Sequence, residues 1–199
     1  MISPKSQSFT DDERRFLLHL ARRSIEAAVG RQSAPWPSLH GLGEHLQQHR
    51  ACFVTLNKRG QLRGCTGILL ARQPLANEVV YSAGQTALND PRFTPVILSE
   101  IIELTIEISV LNSPVRLANA VPDHIPQMIR PGIDGVTLNR GPYRATFLPQ
   151  VWNKINDPQE FLSRLCEKMG LPPSSWLEPG MSVDVYQVEE FAEDDFTQT

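Results

Sequence analysis

The sequence is poor in cysteine and lacks a long apolar run, and both shortages restrict the class of protein. Its three cysteines are few and odd in number, which favours a reducing compartment over a disulfide framework. The segment Met1–Lys5 has no apolar signal-peptide core, and no stretch approaches the length that spans a membrane. We therefore expect a soluble, cytoplasmic protein.

The sequence also lacks a large charge of one sign and the common phosphate-binding motifs. The net charge is -3 and the pI is near 6.0, so nothing indicates a nucleic-acid-binding surface. No phosphate-binding loop, dinucleotide-binding glycine pattern or nucleophile elbow is present. Arg72 lies one residue too far from Cys65 for the cysteine–arginine loop of tyrosine phosphatases. No nucleic acid and no cofactor are predicted.

Two histidines are the only pair spaced like metal ligands. His45 and His49 would share a face if residues 44–50 were helical. The pair lacks the His-Glu-x-x-His order of zinc peptidases, and no third ligand is evident. A polar, solvated helix is the commoner outcome for such a pair, so no metal is predicted.

Apolar periodicity and turn residues predict alternating helices, hairpins and strands. A capping box from Thr10 to Glu13 starts a first helix that ends near Gly30. Residues 104–111 alternate strictly between apolar and polar side chains, as a half-buried strand does. The order of elements predicts an α+β fold with helices packed over largely antiparallel sheets. The other predicted elements are a hairpin over 51–57 and 61–69, a helix from Pro74 to about Leu88, a short helix over 122–129, a hairpin over 136–139 and 144–148, a helix capped by Asp157 and a strand over 182–188.

The first hairpin carries the most distinctive side chains. Arg63 and Cys65 stand two residues apart beside Gly64 and Gly67, in a segment that otherwise has the character of a buried strand. Glycine in a strand marks a bulge or a close approach, and a guanidinium near a thiol promotes the reactive thiolate. The alternative is a structural hairpin with an inert cysteine. A nucleophilic thiol needs a base, and the candidates are His40, His124 and Glu107.

Two registers of this hairpin are compatible with its sequence. If Asn57 pairs with Gly60, Cys52 lies opposite Cys65. If Asn57 pairs with Gln61, Cys65 shares a face with Phe53 and Thr55. A slip of one residue moves every side chain to the other face, and the sequence does not select between the two.

Charge is distributed unevenly between the two ends of the chain. The first helix is rich in arginine, whereas the C-terminal segment is acidic. This asymmetry predicts either an attraction within the molecule or two separately solvated faces. The residues are Arg14, Arg15, Arg22 and Arg23 at one end and Glu189, Glu190, Glu193, Asp194 and Asp195 at the other.

The chain resembles the AMMECR domain family, the Alport-syndrome chromosomal-region protein family. Its prokaryotic members are called AmmeMemoRadiSam system protein A. The pattern covers roughly residues 10–190, and Thr66 departs from it because the family usually has isoleucine there. Six ordered segments carry the resemblance: the hairpin 53–67, Asp90-Pro91-Arg92-Phe93, 106–111, Gly132-Ile133-Asp134-Gly135-Val136, 147–152, and 161–171 with its Phe161-Leu162 and Lys168-Met169-Gly170-Leu171.

The resemblance implies a single domain over residues 10–190 between tails at 1–9 and 191–199. It implies two intimate sub-lobes around a cleft, and genomic companionship with a Memo-like protein and a radical-SAM enzyme. It does not supply a reaction. The residues expected to line the cleft are Arg63, Gly64, Cys65, Thr66, Gly67, Asp90, Arg92, Glu107, Ser109 and Gln150.

Two hypotheses for function follow. In the first, Cys65 acts as a nucleophile or redox thiol on an anionic small molecule or peptide, Arg63 or Arg92 fixes the anionic group, and Glu107 handles protons. In the second, the chain is a non-catalytic module that binds a ligand or docks the Memo-like and radical-SAM proteins. An ion pair between Arg63 and Asp90 would then shape the cleft. We also predict that Arg63, Glu107 and Ser109 line one concavity.

Overall fold

A computed structural model describes residues 8–118 and 121–196, and it has the predicted α+β fold. The strands are β1 (Cys52–Lys58), β2 (Gln61–Gly67), β3 (Leu104–Leu111), β4 (Val115–Arg116), β5 (Gly135–Arg140), β6 (Tyr143–Phe147), β7 (Ser182–Tyr186) and β8 (Val188–Ala192). They form two four-stranded antiparallel sheets, in the orders β2-β1-β3-β8 and β4-β7-β5-β6. The chain divides into two compact units, one running to Leu111 and resuming at Glu189, the other Asn112–Val188. No helix within the described ranges is long and apolar enough to cross a membrane.

The first unit packs helices on one face of the sheet β2-β1-β3-β8. Apolar side chains of β1 and β3, among them Val54, Leu56, Ile106 and Ile108, form its core with the helices. The elements are α1 (Asp11–Val29), α2 (Glu44–Gln47), β1 (Cys52–Lys58), β2 (Gln61–Gly67), α3 (Leu75–Asn89), a 3-10 helix (Leu98–Glu103), β3 (Leu104–Leu111), β8 (Val188–Ala192) and a final 3-10 helix (Glu193–Phe196).

Local sequence signals predicted the positions of several of these elements correctly. The capping box of Thr10 and Glu13 is present, and Gly30 ends α1 as predicted. The helix predicted from Pro74 to about Leu88 is α3, and Pro74 is the residue that precedes its first turn. Strand β3 covers the predicted range 104–111.

The first hairpin adopts neither predicted register, because a bulge changes the pairing within it. Asn57 lies opposite Leu62, whereas Leu56 lies opposite Gly64, so Arg63 is the extra residue of β2. Beyond the bulge Cys65 lies opposite Thr55. Cys65 therefore shares a face with Thr55, as the second register predicted, although the register itself is different.

The second unit is built on the sheet β4-β7-β5-β6. The predicted hairpin is confirmed by β5 and β6, and the predicted capped helix by α5, whose Asp157 side chain accepts from the backbone N–H of Glu160 at 2.7 Å. Trp152 stacks on Phe161 in the core, with ring centroids 3.7 Å apart. The elements are β4 (Val115–Arg116), 3-10 helices (Pro122–His124, Pro149–Asn153 and Pro173–Leu177), α4 (Ile125–Met128), β5 (Gly135–Arg140), β6 (Tyr143–Phe147), α5 (Pro158–Lys168) and β7 (Ser182–Tyr186).

The charge asymmetry is an attraction within the first unit. Arg14 Nη2 lies 3.1 Å from Glu189 Oε1, and Arg22 Nε donates to Glu193 Oε1 at 2.6 Å. These contacts hold β8 and the segment after it against α1. The sequence pattern did not predict β8, whose Phe191 is buried in the core.

Candidate functional site

Strand β2 is an edge strand, and two side chains close its outer edge at Cys65. The backbone N–H of Cys65 donates to Asp90 Oδ2 at 2.8 Å, and Arg92 Nη2 donates to the Cys65 carbonyl at 2.9 Å. Asp90 and Arg92 also bind each other through two nitrogen–oxygen contacts of 2.7 and 3.0 Å. The pair thus imitates a neighbouring strand and fixes the Cys65 backbone from outside the sheet.

This clamp determines how Cys65 faces β1. Because the Cys65 N–H and carbonyl point outward, Cys65 and Thr55 form a non-hydrogen-bonded cross-strand pair, in which side chains approach most closely. The Thr55 hydroxyl accordingly donates to Cys65 Sγ at 3.3 Å. Thr55 in turn lies opposite Glu107 on β3. A thiol, a hydroxyl and a carboxyl therefore follow one another across three strands, and we call Cys65, Thr55 and Glu107 the thiol row.

Glu107 is the acid of the thiol row, and its pKa is raised. Burial raises its pKa, and the nearby carboxyls of Glu190 and Asp195 raise it further. A carboxyl whose pKa moves toward neutrality is a better general acid or base at physiological pH. Phe53 and Ser109 form the next row along the same face, since they pair directly and lie two positions away from Thr55 and Glu107.

The opposite face of β2 packs against α3 through polar and small residues. Thr66 Oγ1 lies 2.7 Å from Thr86 Oγ1, which is itself 3.1 Å from the Val54 carbonyl. A Cβ added to Gly64 would lie 3.0 Å from the Thr86 methyl carbon. Thr66 and Gly64 therefore face the helix, and their contacts are structural.

Gly67 has no room for a side chain. A Cβ at this position would lie 2.2 Å from the Cys52 carbonyl oxygen and 2.6 Å from Phe53 Cα. Both atoms belong to the backbone of β1, which cannot move without breaking the sheet pairing. The predicted ligand-binding role of Gly67 is untested, and its observed role is to let β1 and β2 approach.

Arg63 does not take the partners that the sequence suggested. Its guanidinium binds Glu100, with Nη2–Oε2 at 3.0 Å, and the same carboxylate accepts from Lys58 Nζ. The predicted ion pair with Asp90 is wrong, since Asp90 pairs with Arg92. The Arg63 and Lys58 contacts, and hydrogen bonds from the Ile97 backbone, lower the pKa of Glu100 to about 2.

The concavity predicted for Arg63, Glu107 and Ser109 is also wrong. Lys58 lies opposite Leu104, on the sheet face that carries the helices, and it shares Glu100 with Arg63. Glu107 and Ser109 lie on the other face. The physical reason is the bulge, which interrupts the alternation of β2 at Arg63 and separates its direction from that of Cys65.

Three further residues singled out in the sequence are not part of the thiol row. Gln150 is in the second unit, in the 3-10 helix Pro149–Asn153, and its part in a site stays a prediction. His49 lies beyond α2 and bridges to Pro74, whereas His45 contacts Glu13 at 3.3 Å. Within the described ranges, no group of three or more histidine, cysteine or acidic residues is arranged to hold a metal.

Three residues that organise this region had no predicted role in the site, namely Thr55, Thr86 and Glu100. The sequence does carry a signal for Thr86, because polar residues recur every four positions at Glu78, Ser82, Thr86 and Asp90 and so share one side of a helix. In the structure all four are buried. Thr55 and Glu100 carry no such signal, since their roles depend on the register of the hairpin and on the fold of the segment after α3.

Known proteins match this chain over nearly its whole length. The sequence model of the family described as AMMECR1 matches residues 18–191. A protein of Methanothermobacter thermautotrophicus is 38% identical over 185 residues, which cover 92% of this chain and 95% of that protein. Protein TK0174 of Thermococcus kodakarensis is 38% identical over 192 residues and covers 92% of each chain.

A solved structure matches as well. The crystal structure of the uncharacterized protein PH0010 from Pyrococcus horikoshii is 35% identical to this chain, with a TM-score of 0.82 over 94% of each. These matches confirm the family resemblance and the α+β fold class that the sequence predicted.

Proposed function

The chain belongs to the AMMECR1 family, and from that premise we propose that its thiol row is a small-molecule or peptide site in which Cys65 carries the chemistry. The observation that carries the proposal is the clamp on the Cys65 backbone. Asp90 and Arg92 hold the N–H and the carbonyl of one residue, whose partly buried thiol accepts a hydrogen bond from Thr55; the perturbed carboxyl of Glu107 belongs to the strand beyond Thr55. Such positioning by surrounding groups is what a reactive residue requires.

The proposed chemistry is nucleophilic attack by the Cys65 sulfur on an electrophilic carbon, such as an acyl carbonyl. The sulfur forms a bond to that carbon, and the thiol proton passes through water to the Glu107 carboxylate, because Glu107 lies two strands away from Cys65. The bond to the leaving group then breaks, and Glu107 returns the proton to it. The Thr55 hydroxyl, which donates to the sulfur at 3.3 Å, stabilises the negative charge that develops there.

The charges around the thiol row favour a neutral or cationic ligand over the anionic one predicted from the sequence. Arg63 and Arg92 were expected to fix an anion, but each binds a carboxylate of the protein, Glu100 and Asp90 respectively. Glu190 and Asp195 also act on Glu107 and make this face more negative. An anionic ligand would be repelled by these groups at neutral pH.

Alkylation of the native protein tests the proposal. With limiting iodoacetamide at pH 7 and peptide mapping, Cys65 should be labelled at least tenfold faster than Cys52 or Cys166. The latter two are fully buried, and burial raises the pKa of both thiols. All three should label alike in denaturant.

Matched variants separate reactivity from exposure. Thr55→Val should slow Cys65 labelling, because it removes the hydroxyl donor while keeping the shape. Cys65→Ser should change the free energy of unfolding little. If Cys65 instead labels as slowly as Cys52 and Cys65→Ser lowers stability by about 1–3 kcal/mol, the thiol is a core group and the proposal is wrong.

That second outcome would favour the non-catalytic alternative, a binding or docking module. It is supported by one observation, namely that Gly64, Thr66 and Arg63 all make structural contacts. In either case we propose a cytoplasmic component of the AmmeMemoRadiSam system that acts with a Memo-like protein and a radical-SAM enzyme, on the support of the family resemblance. Co-purification with those two proteins, followed by mass spectrometry of any bound compound, tests this setting.

A further inference from the structure

A second surface lies on the helical side of the first unit. A groove of about 530 Å³ runs between the C-terminal ends of α1 and α3 and the segment that follows α3. Its volume is within the usual range for binding sites, and its walls are mostly apolar. The lining residues are Ala28, Val29, Arg31, Leu88, Pro95, Val96, Ile97 and Leu98.

The groove is bordered by large apolar side chains that project into solvent. Ile97 is 59% exposed and Leu98 is 66% exposed. Ile102, on the same 3-10 helix as Leu98, is 91% exposed. Single exposed apolar residues are common, but several on one short segment beside an apolar groove mark an interaction surface.

This segment is held firmly in place. The Ile97 N–H donates to Glu100 Oε2 at 3.2 Å, and that carboxylate is bound by Arg63. The Val96 N–H donates to the Ala87 carbonyl at 2.8 Å. Because the backbone is anchored to α3 and β2, the apolar side chains are presented in a fixed arrangement, which reduces the entropy lost on binding.

Arg31 is the one charged residue that lines the groove. Its backbone is in the left-handed region, at φ 56°, where side chains other than glycine are strained. Arg31 is exposed, and across residues 8–118 and 121–196 its guanidinium makes no hydrogen bond or ion pair. An arginine beside an apolar groove, whose guanidinium has no ion pair within the described part of the chain, is complementary to an acidic group on a ligand.

We propose that this groove docks an amphipathic helix of a partner protein, whose apolar side chains contact Val29, Leu88 and Leu98 and whose acidic residue pairs with Arg31. The groove is open and its apolar border extends past it, which suits a helix laid along the surface. The proposal does not depend on chemistry at Cys65. It also gives Arg63 a role, since Arg63 binds the carboxylate that anchors Ile97.

Selection from a random 12-residue peptide library on the full-length protein tests this proposal. We expect enrichment of peptides with apolar residues spaced by three and four and with one acidic residue. Leu98→Asp should weaken the binding of an enriched peptide at least tenfold. Leu70→Asp is the matched control, because Leu70 is 53% exposed but does not line the groove, and it should leave binding unchanged.

A charge reversal provides the decisive arm. Arg31→Glu should weaken acidic peptides at least tenfold and should favour the same peptides with lysine in place of the acid, which a folding defect would not do. Cys65→Ser should bind as the wild type does. Failure to enrich any peptide, insensitivity to Leu98→Asp, or a concentration-dependent dimer that Leu98→Asp abolishes would each overturn the proposal.

Discussion

Individual acidic residues of the first unit differ in what surrounds them, and this difference separates structural from reactive positions. Asp90 and Glu100 each bind a guanidinium, and these contacts lower the pKa of both carboxyls. Glu107 is half-buried near other carboxyls, which raises its pKa. A paired carboxylate stabilises the fold, whereas one that is buried beside like charges is a mark of a functional site.

The sign of each pKa shift gives a prediction for stability. For Glu107 the folded-state pKa is raised above the ordinary value of 4.5. The wild type therefore loses stability as the pH rises from 4.5 through the folded-state pKa of Glu107. Glu107→Gln should therefore be more stable than the wild type at pH 7 and equally stable near pH 4. Urea unfolding at the two pH values measures the difference.

Glu100 serves as the control of opposite sign. Its folded-state pKa is about 2, so its ionised form contributes stability above pH 4.5, and this contribution is lost as the pH falls toward 2. Glu100→Gln should be less stable than the wild type at pH 7, with a smaller difference in acid. If both variants shift stability in the same direction at pH 7, the distinction between these carboxyls is incorrect.

At the scale of elements, the contact between α3 and the first hairpin determines where Cys65 lies. Glu78, Ser82, Thr86 and Asp90 form a buried polar stripe along α3. Thr86 bonds to the backbone of β1 and Asp90 to that of β2, so the helix holds both strands of the hairpin. Glycines in β2 permit this close packing. Substitution of one glycine in β2 and of one glycine in α3 should change the free energy of unfolding in opposite directions.

We expect Gly67→Ala to lower the free energy of unfolding by about 1–3 kcal/mol, because the added Cβ meets the backbone of β1. Gly84→Ala should raise it by about 0.5–1 kcal/mol. Gly84 lies inside α3, where alanine is favoured, and its added Cβ would make ordinary contacts of 3.6 and 3.7 Å with Ser24 and Ala28. Denaturant unfolding of both variants checks the two signs, and equal losses would contradict the packing described here.

At the scale of the whole molecule, the first unit is assembled from both ends of the chain. The chain leaves this unit after Leu111 and re-enters it at Glu189, so the fourth strand of its sheet comes from the C-terminal segment. Arg22 binds Glu193 and also donates to the carbonyls of Ile101 and Leu104. The acidic segment is therefore part of the fold, and the arginines of α1 hold it.

A double-mutant cycle measures how strongly the arginines of α1 hold the acidic C-terminal segment. Arg22→Gln and Glu193→Gln should each destabilise the protein. The coupling energy between them should be about 1–3 kcal/mol, as for hydrogen bonds between charged groups that are partly buried. The pair Arg164 and Glu160, whose side chains are 55% exposed, is the control and should couple by less than about 0.5 kcal/mol. Equal coupling energies in the two pairs would show that the Arg22–Glu193 contact does not specifically hold the C-terminal segment on α1.

The features that depend on near neighbours along the chain were predictable from the amino-acid order. Backbone preferences and side-chain periodicity over a few residues account for the capping box at Thr10, the alternation of β3 and the start of α3 after Pro74. The ordered motifs also identified the family, because their order and spacing are themselves properties of the sequence.

The bulge at Arg63 and the partner of each arginine depend instead on contacts between residues that are far apart in the sequence. Arg63 and Glu100 are 37 residues apart, and they meet because the segment after α3 folds back beside β2. Long side chains reach any acid within several ångströms, so their pairing is set by how elements approach each other in space. Cys65 lies beside Thr55 and Glu107 for the same reason, because the register of three strands is a property of the assembled sheet.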